Sequence, residues 1–225
     1  MKKLLAFLFI LNTVFAYAQD TAHVKAVKTK RFFVGINFSP DICEGILTKP
    51  ILDNLGLKSI SKFGFTSGIN SCFVITKHIS IDFGVQYSKK EVKVTSDLTF
   101  GDMIDRRRGF VYNTNELNFG YSIYNYLDIP LKANFIFGKR KTRFISSVGL
   151  TTNILLKATG SFYTGNNYSR INLSPTISAG IDYKINRKQF FRIEPTFRYG
   201  VLKVSDNLAT QYLWNAGINV SWYFL

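Results

Sequence analysis

The chain has 225 residues, 16% of them aromatic, and a formal net charge of +15. This length suits one domain, and no run is long and apolar enough to cross a membrane as a helix, which takes about 20 residues. No nucleic-acid motif accompanies the charge, so nucleic acid is not an expected partner; anionic lipid, acidic glycans or simple dispersal over loops and turns remain as readings of it.

In chain order, Lys2 and Lys3 precede an apolar run from Leu4 to Phe15, and Ala16-Tyr17-Ala18 supplies a small-residue cleavage pattern. Residues 1–18 are therefore predicted to be a secretory signal peptide cut before Gln19. Asn12 and Thr13 interrupt the run, which argues against a membrane anchor. No Cys follows closely enough for lipid attachment. Residues 19–31 read as a short basic periplasmic linker, and residues 32–225 as one barrel domain.

Eight strands follow, each with period-two alternation. The first, Phe32 to Ser39, sets Phe32, Val34, Ile36 and Phe38 against Phe33, Gly35, Asn37 and Ser39. The second is Phe63 to Ile75 and the third starts at Ile79 and runs through Tyr87. The fourth, about Ile123 to Phe137, opposes Leu127, Ile129 and Leu131 to Asp128, Pro130 and Lys132. The fifth is Phe144 to Leu156, the sixth Ile171 to Ile185 and the seventh Phe190 to Val201. The eighth runs from Trp214 to Leu225. Short connections (76–78, 138–142 and 186–188) alternate with long ones (40–62, about 95–116, 158–170 and 202–212). This is the pattern of a transmembrane up-and-down β-barrel with short periplasmic turns and longer external loops. The even strand number puts both termini on the periplasmic side.

The polar faces are rich in Gly, Ser, Asn and Thr, which suit the crowded interior of an eight-stranded barrel. The apolar faces would meet lipid, and the aromatic share suits girdles at two interfaces. Pro130, Pro175 and Pro195 fall inside strands, where each removes a ladder donor, so bulges or nearer strand ends are expected there. Cys43 is placed in a surface loop, and Cys72 inward near the far end of the second strand. No disulfide is predicted, because about nine residues at ~3.3 Å each separate Cys72 from the loop end of its strand.

Asp82, Asp128, Lys132, Asp182, Lys184, Arg192, Glu194 and Arg198 are all predicted to face inward. They read either as an ion path or ligand site, or as a salt-bridge network filling the barrel. The network is favoured, because buried charges must be paired and the interior is narrow. In the loops, Arg106, Arg107 and Arg108 could grip lipopolysaccharide phosphates or an acidic partner, and otherwise form a solvated charge run. The first long loop carries Ile42, Ile46, Leu47, Ile51, Leu52, Leu55 and Leu57. It is expected to cap the barrel as a short amphipathic helix, or else to offer a partner surface. The histidines are His23, in the linker, and His78, in a short turn. Neither is placed as a general base, and no catalytic role, cofactor or metal is expected.

Asn215, Gly217, Val220, Trp222 and Phe224 resemble the C-terminal sorting signal of bacterial outer-membrane barrels, with Leu225 added where such chains usually end on Phe. That resemblance implies that the barrel-insertion machinery reads this strand. Tyr126-Leu127-Asp128-Ile129-Pro130-Leu131-Lys132 resembles a segment of the Bacteroidetes outer-membrane β-barrel domain family, also called PorT-like. Gly149 through Lys157 and Glu194 through Gly200 resemble its later strands. The resemblance implies an outer-membrane location, with one member of the family belonging to type IX secretion machinery. Together these readings predict a non-catalytic integral barrel of the outer membrane with a structural or surface-interaction role. Its expected partners are outer-membrane lipid, lipopolysaccharide and the insertion machinery. An accessory subunit of a secretion or transport complex, with protein partners, is the alternative, and a narrow channel comes third.

Overall fold

The computed structural model describes residues 32–48, 57–96, 117–138, 141–160, 168–204 and 210–225. They form eight antiparallel strands: β1 (Phe32–Thr48), β2 (Leu57–Val74), β3 (Ile79–Ser96), β4 (Leu117–Phe137), β5 (Thr142–Gly160), β6 (Ile171–Lys184), β7 (Gln189–Tyr199) and β8 (Thr210–Phe224). Each strand pairs with its neighbours in sequence, and β1 also pairs with β8, from Val34↔Phe224 to Thr48↔Thr210. The sheet is a closed barrel with no unpaired edge.

Alternation decides which way each side chain points. On β7, Phe190, Arg192, Glu194, Thr196 and Arg198 are buried, while Phe191, Ile193, Pro195 and Phe197 are exposed. The same parity runs round the barrel, so the polar face is inside and Ile, Phe, Leu and Val stand on the outer surface. This inverts a soluble protein's distribution. The outer belt ends at the short-turn side in exposed aromatics: Phe137, Phe144, Tyr183, Trp222 and Phe224. At the other side it gives way to polar groups. Ser61 donates to Glu44 at 2.6 Å, Lys89 pairs with Glu91 at 2.5 Å, and the Tyr121 hydroxyl donates to Glu91.

Five strands run further than the alternation in their central parts suggests. β1 continues through Asp41 and Cys43 to Thr48, and β2 begins at Leu57, so the described parts of the expected capping loop are strand rather than helix. Only residues 49–56 of it lie outside the described residues. β3, β4 and β5 likewise extend past the belt to Ser96, Leu117 and Gly160. The register shifts lie in this half, at Ser61/Phe65, Val94/Thr95 and Asn125/Tyr126. Gly120, at φ 133°, sits opposite Val94 beside the second shift, a backbone geometry that favours glycine. Extended antiparallel pairing satisfies the backbone groups that a helical cap would have satisfied within itself.

The prolines produce no bulge. On either side of Pro130 the β3–β4 register is unbroken, from Phe83↔Leu131 to Gln86↔Asp128. Pro195 is bridged the same way on β6–β7, from Ser178↔Thr196 to Ile181↔Ile193, and pairs with Ile218 on its other side. Pro175 pairs with Leu150 in continuous register. Each ring forfeits a bond on one side only, and the ladder on the other side holds the strand in place. Cys43 is not in a loop: it is buried on β1. Cys72 is buried as expected, and both thiols are free.

β6 and β7 approach closely at Gly180, where a Cβ would stand 2.7 Å from the Glu194 Cα and press on the Ile193 carbonyl oxygen. Gly180→Ala is expected to destabilise the barrel by about 1–3 kcal/mol, as overpacking does elsewhere. Urea unfolding of the detergent-solubilised protein, followed by tryptophan emission, measures it; an unchanged midpoint would refute the close approach.

Candidate functional site

The lumen holds a dense cluster of charged side chains, and its contents are stacked in three layers. Nearest the short turns is an aromatic layer of Phe190, Tyr223 and Cys72, with Phe33 and Val74 packed on it. Phe190 and Tyr223 stack at 4.5 Å between centroids, and Phe33 meets Phe190 edge-on at 5.2 Å. The guanidinium of Arg192 lies over both rings, 5.6 Å from Phe190 and 5.2 Å from Tyr223.

Above it is a polar layer organised by carboxylates. Arg192 is fully buried on β7 and reaches two strands at once. Its Nε donates to Asp182 at 2.7 Å, and its Nη1 donates to Asp82 across the barrel on β3. Arg143 adds a bond to Asp182 at 3.0 Å, and the Tyr223 hydroxyl donates to Asp82 at 3.2 Å. Glu194, two residues along β7, takes the Lys132 ammonium, with Ser178 and Asn219 each donating at 3.0 Å. Asn37 extends this cluster by donating to Asn219 at 3.1 Å.

A third carboxylate, Asp41, collects Thr66 at 2.6 Å, Ser39 at 2.7 Å, Asn215 at 3.2 Å and Arg198 at 3.4 Å. A fourth, Asp128, accepts from Asn153 at 2.6 Å, and Asn153 accepts from Ser174 at 2.5 Å. Buried acids and bases nearly balance here: Asp41, Asp82, Asp128, Asp182 and Glu194 against Lys90, Lys132, Arg192 and Arg198, with Arg143 partly buried beside them. Pairing of this kind is what burial demands, since an uncompensated charge in a dry interior is costly.

Towards the long loops the lumen turns apolar. Val92, Val94, Tyr124, Tyr126, Val204 and Leu213 form a cluster inside the protruding strands, with Leu47, Leu155 and Tyr168 against it. Lys90 marks the boundary, its ammonium 5.0 Å from the centre of the Tyr126 ring. The polar layer thus lies between an apolar cluster above and stacked aromatics below.

Of the residues expected to face inward, Asp82, Asp128, Lys132, Asp182, Arg192, Glu194 and Arg198 are buried and joined in this network. Lys184 is the exception. It shares their parity but lies at the last position of β6, exposed at the mouth, its backbone N–H donating to the Lys141 carbonyl at 2.9 Å. Asp41, Arg143 and Tyr223 belong to the network, Lys90 borders it, and none of the four was singled out in the sequence. Carrying the β1 alternation past Pro40 would have found Asp41.

Arg106, Arg107 and Arg108 lie outside the described residues, as does His23. His78 is exposed in the β2–β3 turn, its Nδ1 3.1 Å from the Ile136 carbonyl oxygen. Among the described residues no group of three His, Cys, Asp or Glu side chains is placed to hold a metal ion. In the terminal strand, Val220, Trp222 and Phe224 point outward. Asn215 and Gly217 serve the Asp41 cluster: Asn215 donates to it, and a Cβ on Gly217 would crowd Asp41 and stand 2.8 Å from the Ser39 hydroxyl. The segment Tyr126–Lys132 likewise alternates between lumen and outer belt. Tyr126 joins the apolar layer, Asp128 holds Asn153 and Lys132 meets Glu194.

No family model matches the chain, and no curated protein matches it in sequence. Among solved structures it is similar to Neisserial surface protein A, at 12% identity over 86% of this chain and 96% of that one, with a TM-score of 0.51. It also matches the outer membrane protein OprG from Pseudomonas aeruginosa, at 10% identity over 86% and 96% of the two chains, with a TM-score of 0.49. At such identity the first likeness speaks to the fold: a closed eight-stranded antiparallel barrel of the kind found among outer-membrane proteins.

Arg192→Met would leave Asp82 and Asp182 buried without their shared cation. The expected loss is about 3–5 kcal/mol, the usual result of breaking a buried ion pair from one side. Adding Asp82→Asn and Asp182→Asn should recover most of it, because a charge-free replacement removes the desolvation penalty as well. Urea titration of the single and triple variants checks this, and equal stabilities would sink the pairing account.

Proposed function

We propose that this protein is a non-catalytic integral β-barrel of the bacterial outer membrane, with a structural or surface-interaction role. One observation carries the reading: a belt of exposed apolar side chains encircles a closed barrel whose inward face is polar and charged. A soluble monomer rarely exposes a contiguous apolar patch above a few hundred Å². In lipid, a closed barrel is one of two architectures that leave no backbone group unpaired. The signal-peptide pattern of residues 1–18 supports export, and the short turns are assigned to the periplasmic side.

On this reading the outer belt meets lipid and the long loops face outward, where lipopolysaccharide phosphate is the counter-charge for basic residues such as Arg106, Arg107 and Arg108. Asn215, Gly217, Val220, Trp222 and Phe224 would be read by the insertion machinery during assembly. The lumen residues, from Asp82 to Arg198, fill and rigidify the barrel. The second reading, an accessory subunit of a type IX-like secretion or transport complex, rests on the PorT-like pattern of Tyr126 to Lys132. The protrusion of β1 to β5 beyond the belt favours contact with other proteins under either reading.

Two measurements separate these roles from the rest. Planar-bilayer recordings of the reconstituted barrel should show no conductance steps, since side chains fill an eight-stranded lumen; regular steps would restore the channel reading. Extraction from native membranes in mild detergent should give a lone barrel whose migration shifts on heating. Co-extraction of a fixed set of secretion components would make it an accessory subunit instead.

A further inference from the structure

The outer faces of β3, β4 and β5 change character along one rung of the sheet. On β3, Phe83, Val85 and Tyr87 stand exposed in the belt, and the next outward residue is Lys89. Lys89 pairs with Asn125 on β4, and Asn125 pairs with Lys157 on β5. Two cations therefore flank one amide where the belt ends, their Cα atoms about 10 Å apart, two strand spacings of ~4.8 Å.

A bulge puts Lys157 there. Strict alternation would give it the parity of Leu155, which packs on the apolar cluster in the lumen. The β4–β5 register instead shifts between Asn125 and Tyr126, so that Tyr126 pairs with Leu155 and Asn125 with Lys157. Leu156 is the extra residue. It and Lys157 both stand exposed, and Ala158 turns back to the lumen cluster. Re-aiming a side chain is a common use of a bulge. The amide is aimed too: the Tyr87 hydroxyl donates to Asn125 Oδ1 at 2.7 Å, leaving the Nδ2 donor without a partner among the described residues. Lys89 pairs with Glu91 at 2.5 Å, and an ammonium has two further donors to offer. Glu91 is the one acid of β2 to β5 beyond the belt among the described residues, and Lys89 and Tyr121 already hold it. Lys62, Lys93 and Lys157 leave that end of these strands with an excess of positive charge.

Aligned donors of this kind, two of them charged, recognise an oxyanion. Their height on the barrel decides which one. A phosphate carried on acyl chains sets its chains along Val85, Tyr87 and Leu156 and its charge on the rung above, whereas a free phosphate gains nothing from the belt. We infer that Lys89, Asn125 and Lys157 bind one phosphate of lipid A, the acylated anchor of lipopolysaccharide, in the leaflet at the long-loop end. The inference rests on the membrane-barrel reading above and names a site separate from Arg106, Arg107 and Arg108.

The full chain, refolded in detergent, is titrated calorimetrically with diphosphorylated lipid A and with the same lipid stripped of its phosphates. The phosphorylated form should bind about tenfold more tightly, the order expected of two basic residues at a partly screened surface. Lys89→Gln with Lys157→Gln should abolish that preference. Arg187→Gln with Lys188→Gln makes the same change of charge in the β6–β7 turn and should leave it intact. Tyr87→Phe, which frees the Asn125 amide to turn away without altering charge, should weaken binding of the phosphorylated form by about twofold, as loss of one modest hydrogen bond does. Should the Lys89 and Lys157 double variant fail to refold, Lys157→Glu alone carries the test, since a reversed charge on the rung must also abolish the preference. Inorganic phosphate in large excess should not displace the lipid. Equal binding of the two lipids overturns the site, as does a preference that both double variants lose alike, which would mark attraction by net charge. Displacement by inorganic phosphate overturns the lipid as its occupant. A chain that neither shifts its migration on heating nor floats with vesicles would instead overturn the membrane reading itself.

Discussion

The constraint on which everything else hangs is the width of the lumen. Eight strands enclose a space that side chains fill and bulk water does not. Every polar group that alternation turns inward must therefore find its partner among the other strands. Arg192 meets that demand most completely: it is wholly buried, bonds Asp182 on the next strand and Asp82 across the barrel, and lies over two aromatic rings. Glu194 and Asp41 do the same from the acidic side, each drawing donors from several strands. Such bonds are long in sequence and short in space, and they fix the stagger of strands that backbone pairing alone would allow to slip.

That inward demand leaves the outer surface free to be apolar. With hydrogen-bonding groups and charges turned into the lumen, the belt can be built from Ile, Phe, Leu and Val without stranding a polar atom. The two ends then differ. At the short-turn end the belt stops abruptly in aromatics and tight basic turns. At the other, five strands run on, bulge, and enclose a second apolar cluster around Tyr124 and Tyr126. Antiparallel strands with their own internal core make a firm platform for loops, which is where such barrels present themselves to the outside.

Much of this was legible in the sequence because one rule, period two, does most of the specifying. It located eight strands, their order, the inward faces, and seven of the eight lumen charges. It stumbled where a local signal competed with it. With the first strand expected to end at Ser39, Asp41 and Cys43 fall in a loop, and the apolar residues beyond suggest a helix. The strand in fact continues, because its neighbours on both sides supply the ladder. The three interior prolines looked like bulges for the same reason, yet a closed barrel holds each from its second neighbour. Lys184 illustrates the converse: parity says which way a residue points, but not whether its position is deep or at the mouth.

A sequence pattern can also be explained twice. Asn215 and Gly217 fit a sorting signal, yet Asn215 donates to Asp41 and Gly217 makes room beside that carboxylate. Tyr126 to Lys132 resembles a family segment, yet each inward residue of it is committed to the lumen, and Leu127, Ile129 and Leu131 to the belt. Patterns of this sort record how an eight-stranded barrel is filled, and any chain that solves the same packing problem at the same place will tend to share them. Distinctions of role should therefore be sought where packing imposes nothing. Those places lie in the connections beyond the protruding strands.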